Sequence, residues 1–195
     1  MKSQPKIILA SESPRRLQLL ENADIQVEVL ASPYEEHDQP GLKPIEIAKN
    51  HAFGKAKAVA DILAEGIVIG CDTVVDVNGK LLEKPRDREH AKEMIGLQQG
   101  QTIEVVSGIS IIDSDRSRVV ISSETTQVTF HPMTSKEIEW YLDTEEWQDK
   151  SGGFAIQGKA SRFIAKVQGD SLSVVGLPVQ KIYQALKNWG YDLCT

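Results

Sequence analysis

The stretch that decides the fold class is IILASESPRR, residues 7–16. Its first four residues are apolar and include two β-branched isoleucines, and a serine follows them, which is typical of a short buried strand. Ser13 is a good N-cap, and Pro14 suits the first position of a helix. The stretch therefore predicts a strand that passes almost directly into a helix, the unit from which α/β proteins are built.

Two adjacent arginines, Arg15 and Arg16, occupy the first turn of that predicted helix. A helix N-terminus carries partial positive charge and unsatisfied backbone N–H groups, so acidic residues are the usual choice there. One interpretation is an ordinary helix start with two solvated arginines. The other is a bound di- or triphosphate, because guanidinium groups grip phosphate oxygens bidentately while the hydroxyls of Ser11 and Ser13 take others.

Strand and helix patterns alternate along the rest of the chain. Residues 32–44 are rich in proline and acidic residues and predict a loop. Residues 151–170 mix glycine turns with strand residues. Asn78 with Gly79 predicts a tight hairpin turn. A second, longer hairpin has a polar tip at 114–117. The predicted strands are 7–10, 25–31, two within 67–85, 102–113 and 118–130, and the predicted helices are 15–23, 44–66, 86–100, 134–144 and 177–190. We therefore predict an α/β fold in which helices flank a mixed twisted sheet.

Size and composition narrow the class of protein. The 195 residues fit a single domain over 1–195, and 41% hydrophobic with 26% charged residues is ordinary globular composition. A formal net charge of −6 disfavours a nucleic-acid binder, and no apolar run or leader pattern predicts a membrane span, so we expect a cytoplasmic protein. Cys71 and Cys194 form no disulfide framework. The four histidines predict surface or loop positions rather than metal ligands; they are 37, 51, 90 and 131.

A second informative stretch is VIGCDTVV, residues 68–75, which carries Asp72 after an apolar run. In an open α/β sheet, ligands collect beyond the carboxyl ends of the strands, where Ser11 and Asp72 would both project. Each polar residue elsewhere has an ordinary interpretation: Glu35 and Glu36 as a solvated loop, and Lys55 as a surface helix residue. Together with Lys84 they supply what phosphoanhydride hydrolysis requires, namely carboxylates for Mg²⁺, cations beside the phosphates and a base near a water.

Other nucleotide and hydrolase motifs are missing. The stretch FGKAKA, residues 53–58, lacks the upstream glycine and the Ser or Thr of a Walker A loop. No GxSxG or GxGxxG occurs, and the serines have no evident partner histidine. These absences disfavour a P-loop NTPase, a dinucleotide-binding protein and a serine hydrolase.

The motifs LASESPRR, GCDTVV, LEKPRD and GGFAIQG with VVGLP resemble, in the right order, those of the Maf family of nucleoside triphosphate pyrophosphatases. The resemblance runs from Ile8 to about Trp189. It implies two lobes around a central nucleotide cleft, similar to inosine triphosphatase-like proteins. It also implies cleavage of a nucleoside triphosphate between its α and β phosphates with Mg²⁺ or Mn²⁺, and a homodimer, for which Ile138, Trp140, Tyr141 and Trp147 are interface candidates unless they form core.

The resemblance also implies a role for each site residue. The carboxylates Glu36 and Asp72 would face the metal and the attacking water, and Asp72 would be the proton acceptor or the group that orients the water. The loop motif around SPYEE is loose, so the metal-side residue is Glu35 or Glu36. The phosphates would be bound by Ser11, Ser13, Arg15, Arg16, Lys55 and Lys84.

Three positions distinguish branches of the family. The branch similar to dTTP and UTP pyrophosphatases has arginine, threonine and glutamine, which match Arg15, Thr73 and Gln157. The 7-methyl-GTP branch has tryptophan, glutamine and glutamate. A glutamine amide offers a donor and an acceptor to O4 and N3–H of uracil or thymine, whereas a carboxylate only accepts. We therefore expect dTTP and UTP as substrates; the alternatives are a 7-methyl-GTP pyrophosphatase and a non-catalytic, nucleotide-sensing regulator of cell division.

Overall fold

The computed structural model describes residues 6–37, 41–114 and 117–193. The strands are β1 (Ile7–Leu9), β2 (Glu28–Val29), β3 (Ile67–Val77), β4 (Lys80–Leu82), β5 (Thr102–Asp113), β6 (Arg118–Phe130) and β7 (Ile164–Gln168). The helices are α1 (Pro14–Asn22), α2 (Pro44–Ala60), α3 (Arg88–Gln98), α4 (Ser135–Leu142), α5 (Ser171–Val175) and α6 (Val179–Asn188). Two short 3-10 helices cover Ser151–Gly153 and Lys159–Phe163.

The strands form one mixed sheet. Its order is β2-β1-β3-β5-β6-β7, and β4 pairs with β3 off this path. β1 runs parallel to β2 and β3, with Ile8 opposite Glu28 on one side and Val68 on the other. β4 is antiparallel to β3, and β7 is antiparallel to β6. The prediction of an α/β fold with a mixed sheet and flanking helices is confirmed.

The chain divides into two compact units. Unit 1 consists of Met1–Asp72, Ser107–Glu124 and Gly176–Thr195, and unit 2 consists of Thr73–Val106 and Thr125–Val175. The division falls within β3, so Asp72 ends one segment of unit 1 and Thr73 begins unit 2. Two lobes were expected from the sequence; the nucleotide cleft and the single domain over 1–195 stay predictions.

In unit 1, two glycines allow α2 to lie close to the sheet. A Cβ on Gly70 of β3 would lie 2.7 Å from Ala56 N and closer still to Ala52 O. A Cβ on Gly108 of β5 would lie 2.8 Å from Lys49 N. Real Cβ atoms do not approach backbone atoms this closely, so each position excludes any side chain. The close approach brings α2 against β3, and with it Lys55 towards Asp72.

Unit 2 has its own apolar core, which includes most of the aromatic residues that the sequence offered as core or interface. Tyr141 and Trp147 are buried there, and Ile138 packs against it. Tyr141 Oη accepts a hydrogen bond from Ala155 N at 3.2 Å, and burial raises the pKa of this phenol. Trp140 differs, with 38% of its surface exposed. Three of these four side chains, those of Ile138, Tyr141 and Trp147, therefore contribute to the hydrophobic core.

The predicted hairpin turn is confirmed, and side chains cap two of the helices. Asn78 and Gly79 both have positive φ angles, 53° and 84°, as a tight hairpin turn requires. Thr134 caps α4 in a reciprocal capping box with Glu137, and Asp87 caps α3 by accepting a hydrogen bond from His90 N at 2.8 Å. At the tip of the longer hairpin, residues 115 and 116 lie outside the described residues.

Several predictions from the sequence were wrong in extent or position. The strand expected at 25–31 is limited to Glu28–Val29, and the helix expected to run to Gly66 ends at Ala60, which leaves Ile62 65% exposed. The short helix α5 was not predicted. His51, for which the sequence predicted a surface or loop position, is buried on α2 with 4% exposure. None of the helices in the described ranges combines the length and apolar character that a membrane span requires.

Candidate active site

The turn that links β1 to α1 contains a small hydrogen-bonded cluster. Ala10 N donates to Ile69 O at 2.8 Å, which ties the end of β1 to β3. Ser11 is buried, and its Oγ accepts hydrogen bonds from Ser13 N at 3.2 Å and from Arg16 Nη1 at 3.1 Å. Ser13 is the N-cap residue, as predicted, but its side chain makes no capping hydrogen bond. The sequence-predicted phosphate residues Ser11, Ser13 and Arg16 are therefore brought together.

Arg16 is held from two sides. Its Nε donates to Gly176 O at 2.9 Å, while Nη1 reaches Ser11. Both of these acceptors are uncharged oxygen atoms. The first turn of α1 contains no acidic residue, and Arg15 lies beside Arg16, partly buried. The turn therefore places two arginines at the positive end of the helix dipole, where anions bind.

Lys55 on α2 joins the two predicted metal-side carboxylates. Its Nζ lies 2.7 Å from Asp72 Oδ1 and also contacts Glu36 Oε1. The Lys55 and Asp72 side chains are only 15% and 10% exposed, whereas that of Glu36 is 51% exposed. Glu35 instead lies near His37, with Oε2 and Nε2 3.7 Å apart. Of the two glutamates that the sequence left open, Glu36 is the one beside Lys55 and Asp72.

Asp72 lies within β3 rather than at its end, which corrects the prediction. β1 ends at Leu9, opposite Ile69, whereas β3 continues to Val77. Asp72 is therefore three residues beyond the register partner of the last β1 residue, while Ser11 is two residues beyond Leu9. Both residues do lie past the carboxyl end of β1, where ligands collect in open α/β sheets.

The thiol of Cys71 is influenced by charged residues of both polar clusters. Burial raises the pKa of its thiol, while the positive charges of Arg16 and Lys55 act in the opposite direction and Asp72 adds to the increase. Both cations are therefore close enough to influence the same buried atom. This links the Ser11–Arg16 turn and the Lys55–Asp72 pair within unit 1.

The remaining predicted site residues belong to unit 2. Thr73 is partly buried, and its carbonyl oxygen accepts a hydrogen bond from Ser151 Oγ at 3.0 Å. Lys84 and Gln157 are both exposed, Lys84 after β4 and Gln157 in the turn before the second 3-10 helix. Within the described ranges, neither of their side chains makes a hydrogen bond or ion pair with another predicted site residue. In the part of the chain that the structure describes, Lys84 and Gln157 are therefore not joined to the other site residues by hydrogen bonds or ion pairs.

Sequence reasoning missed the partners that hold the site residues. Gly176 O binds Arg16 from 160 positions away, and a backbone acceptor carries no sequence signal. Ser151, which binds the Thr73 carbonyl, precedes two glycines and could be inferred only as part of a turn. Tyr34 and His51, whose Oη and Nδ1 atoms lie 3.2 Å apart, join the acidic loop to α2.

Comparisons with known proteins identify the family of this chain. The family described as "Maf-like protein" matches residues 6–189. A protein of Desulforamulus reducens named dTTP/UTP pyrophosphatase is 42% identical over 187 residues, 96% of this chain and 98% of the relative. Relatives of the same name from Carboxydothermus hydrogenoformans and Bacillus cereus strain AH187 are 41% and 43% identical, over 95% and 96% of this chain and 100% and 97% of their own.

The family match extends from just before β1 to just past the end of α6, and the relatives align over nearly their whole lengths. The match contains both clusters described above, Ser11 with Arg16 and Lys55 with Asp72. The chain therefore belongs to the Maf family.

Proposed function

We propose that this protein hydrolyses dTTP and UTP to the nucleoside monophosphate and pyrophosphate. The observation that carries the proposal is the Lys55 ammonium between Asp72 and Glu36 in the same unit as the cationic Ser11–Arg16 turn. Phosphoanhydride hydrolysis needs cations that bind phosphates and a carboxylate that faces water, and unit 1 holds both. The relatives named dTTP/UTP pyrophosphatase supply the substrate class.

Phosphate binding falls to the cations and donors. In unit 1 we assign it to Ser11, Ser13, Arg16 and Lys55, and in unit 2 to Lys84. Arg16 is already oriented by Gly176 O and Ser11 Oγ. An oriented guanidinium loses less side-chain entropy when it binds a phosphate. The N-terminal turn of α1 adds backbone N–H groups and the positive end of its dipole.

The carboxylates fit a divalent cation. Glu36 and Asp72 contact the same ammonium, so they converge on one positive charge. Among the described residues no group of three His, Cys, Asp or Glu side chains could hold a metal ion. Mg²⁺ is usually bound by one or two carboxylates together with substrate phosphates, so two suffice. When bound, Mg²⁺ or Mn²⁺ offsets the negative charge on the phosphate oxygens.

Asp72 is the residue that we assign to the attacking water. Its Oδ1 is bound by Lys55, which fixes the orientation of the carboxylate. Oδ2 accepts a hydrogen bond from the water and receives its proton as the water oxygen attacks the α-phosphorus. The bond from the α-phosphorus to the bridging oxygen breaks, and pyrophosphate leaves. Lys55 has the additional role of limiting the repulsion between two adjacent carboxylates and an incoming triphosphate.

Base selection is assigned to Arg15, Thr73 and Gln157. The Gln157 side chain is exposed, so its amide is accessible to a ligand. An amide that donates to O4 and accepts from N3–H matches uracil and thymine. Cytosine carries an amino group and an unprotonated N3 at those positions, so the amide would have to rotate by about 180° to match it. A cytoplasmic location and a homodimer are part of the same proposal, and the homodimer rests on the family resemblance.

Isotope labelling tests where the bond is broken. The protein is incubated with UTP and MgCl₂ in H₂¹⁸O, and the products are analysed by mass spectrometry. Attack at the α-phosphorus places ¹⁸O in UMP and leaves pyrophosphate unlabelled. Label in pyrophosphate, or formation of UDP and inorganic phosphate, would contradict the proposed cleavage between the α and β phosphates.

A further inference from the structure

The glycine of the stretch FGKAKA, which the proposed function does not use, lies in the middle of α2. Glycine is the poorest helix former after proline, so a glycine at an interior position has a cost that needs a reason. A Cβ on Gly54 would lie 2.7 Å from Cδ2 of Tyr34 and closer still to Cε2 and Cζ. The ring of Tyr34 therefore occupies the space that any side chain at position 54 would need.

The ring belongs to a segment that α2 holds at several points. Tyr34 Oη lies 3.2 Å from His51 Nδ1, and the two rings are 5.9 Å apart at a tilt of 56°. Ser32 Oγ donates to Lys55 O at 3.0 Å and accepts from Tyr34 N at 3.3 Å. Gly54 and Lys55 follow His51 by three and four positions, so all three residues lie on one side of α2. Residues 32–34 are thus attached along that face.

The segment ends at the carboxylate of the candidate active site. Glu36 follows Tyr34 by two residues, and its carboxylate contacts the ammonium of Lys55. Half of the Glu36 side chain is exposed, so little packing of its own holds it in place. The contacts of Ser32 and Tyr34 with α2 hold the chain just before Glu36.

We infer that Gly54 is a positioning residue: by leaving room for the Tyr34 ring on α2, it holds Glu36 beside Lys55 and Asp72. The inference rests on the proposed function, in which Glu36 faces the divalent cation. A side chain at position 54 displaces the ring and separates residues 32–36 from α2. The expected consequence is a misplaced Glu36 with an intact fold.

The test compares two substitutions that have the same intrinsic effect on helix formation. Gly54→Ala and Gly96→Ala each replace an interior helical glycine by the best helix former. A Cβ on Gly96 of α3 has no atom within 4 Å, so that change creates no clash. Pyrophosphate release from UTP is measured against MgCl₂ concentration for both variants and the unaltered protein. Circular dichroism reports the fold.

We expect Gly54→Ala to lower kcat/KM about 100-fold, the order of loss for a catalytic group displaced by about 1 Å, and to raise the MgCl₂ concentration for half-maximal rate. Gly96→Ala should stay within about twofold of the unaltered protein, since surface changes without new contacts have small effects. Equal activity of the two folded variants would overturn the inference. If Gly54→Ala does not fold, Tyr34→Ala removes the ring without altering α2 and should give the same loss.

A double-variant comparison shows whether the effect passes through Glu36. If it does, Gly54→Ala should cause no further loss in a Glu36→Gln background, because non-additivity is the mark of residues that act together. Losses that multiply would overturn the inference.

Hydrogen exchange of residues 31–37 gives a readout that needs no activity. Exchange should be faster in Gly54→Ala and unchanged in Gly96→Ala. If the unaltered protein releases no pyrophosphate, the proposed function fails, and exchange alone decides whether Gly54 holds this segment. Equal exchange in both variants would contradict the inference in that case too.

Discussion

The Lys55 ammonium lies 2.7 Å from Asp72 Oδ1 and contacts Glu36 at the same time. One positive charge therefore holds together two carboxylates that come from different parts of the chain, the loop after β2 and the middle of β3. Because Lys55 and Asp72 are largely buried, this pair is less screened by water than an ion pair on the surface. Lys55, Asp72 and Glu36 therefore share one electrostatic centre. The first two predictions rest on it.

Asp72→Asn should lower kcat for UTP hydrolysis by roughly 10² to 10⁴-fold, the usual contribution of general-base catalysis. The amide keeps an oxygen that can accept the hydrogen bond from Lys55, so the fold should be retained, but it cannot receive a proton from water. Single-turnover kinetics measure the change. Asp61→Asn, at the end of α2 where Asp61 pairs with Lys57, is the matched control and should leave kcat unchanged. Near-normal hydrolysis by Asp72→Asn would remove Asp72 from this role.

Lys55→Met should reduce the free energy of unfolding, because it leaves the buried Asp72 carboxylate without its cation. Loss of one partner from a buried ion pair costs about 3 to 5 kcal/mol, and we expect about 2 to 3 kcal/mol here because Glu36 is half exposed. Lys57→Met, two residues away, breaks an exposed pair with Asp61 and should cost roughly 0 to 0.5 kcal/mol. Urea unfolding measures both. Equal losses of unfolding free energy in the two variants would show that the Lys55 ion pair stabilises the fold no more than the exposed pair does.

Gln157→Glu should change substrate preference. A carboxylate cannot donate to O4 of uracil or thymine, and an unmatched polar group costs about 1 to 3 kcal/mol, so kcat/KM for UTP and dTTP should fall roughly 10 to 100-fold. Relative activity on 7-methyl-GTP should rise, because its base offers donors. Gln168→Glu, at an exposed position on β7, is the control and should alter neither. An unchanged ratio of the two activities would exclude Gln157 from base selection.

The buried thiol of Cys71 should make stability depend on alkaline pH. Its pKa is raised in the folded chain, chiefly by burial, so the folded state holds the proton more tightly than the unfolded state. The resulting stability is complete below the ordinary thiol pKa of roughly 8.5 and is lost as pH rises through the higher folded value.

Unfolding free energies at pH 7.5 and at pH 10 for the unaltered protein and for Cys71→Ala measure this effect. Lysines and tyrosines also titrate in this range, so the difference between the two proteins is the relevant quantity. The unaltered protein should lose more stability than the variant over the interval. Parallel losses in the two proteins would show that Cys71 makes no such contribution.

The strand-to-helix start of the chain was predictable because its signals are local. A β-branched apolar run predicts β1, Ser13 and Pro14 predict the start of α1, and Asn78 with Gly79 predicts the turn before β4, and each depends on residues within a few positions. The weak elements were less predictable. β2 pairs over only two residues, and the apolar periodicity that predicted a helix to Gly66 continues through Ile62, where the structure leaves it exposed.

The site was predictable as a set of residues but not as a set of contacts. Lys55 and Asp72 are 17 positions apart, and their distance depends on how closely α2 approaches β3, which Gly70 and Gly108 decide through space rather than along the chain. The position of Asp72 inside β3 was missed because β1, its parallel neighbour, ends early. His51 was misjudged because one of the groups that it contacts, the Tyr34 ring, comes from a loop with no periodic pattern.

A substrate panel decides whether this chain is a pyrimidine nucleotide pyrophosphatase. Pyrophosphate release is measured with UTP, dTTP, CTP and 7-methyl-GTP, each with MgCl₂ or MnCl₂, with Asp72→Asn as the control for contaminating enzymes. We predict that UTP and dTTP give the highest kcat/KM, with equal amounts of pyrophosphate and nucleoside monophosphate. Release from 7-methyl-GTP alone would contradict the base assignment, and no release from any of the four would contradict an enzymatic role altogether.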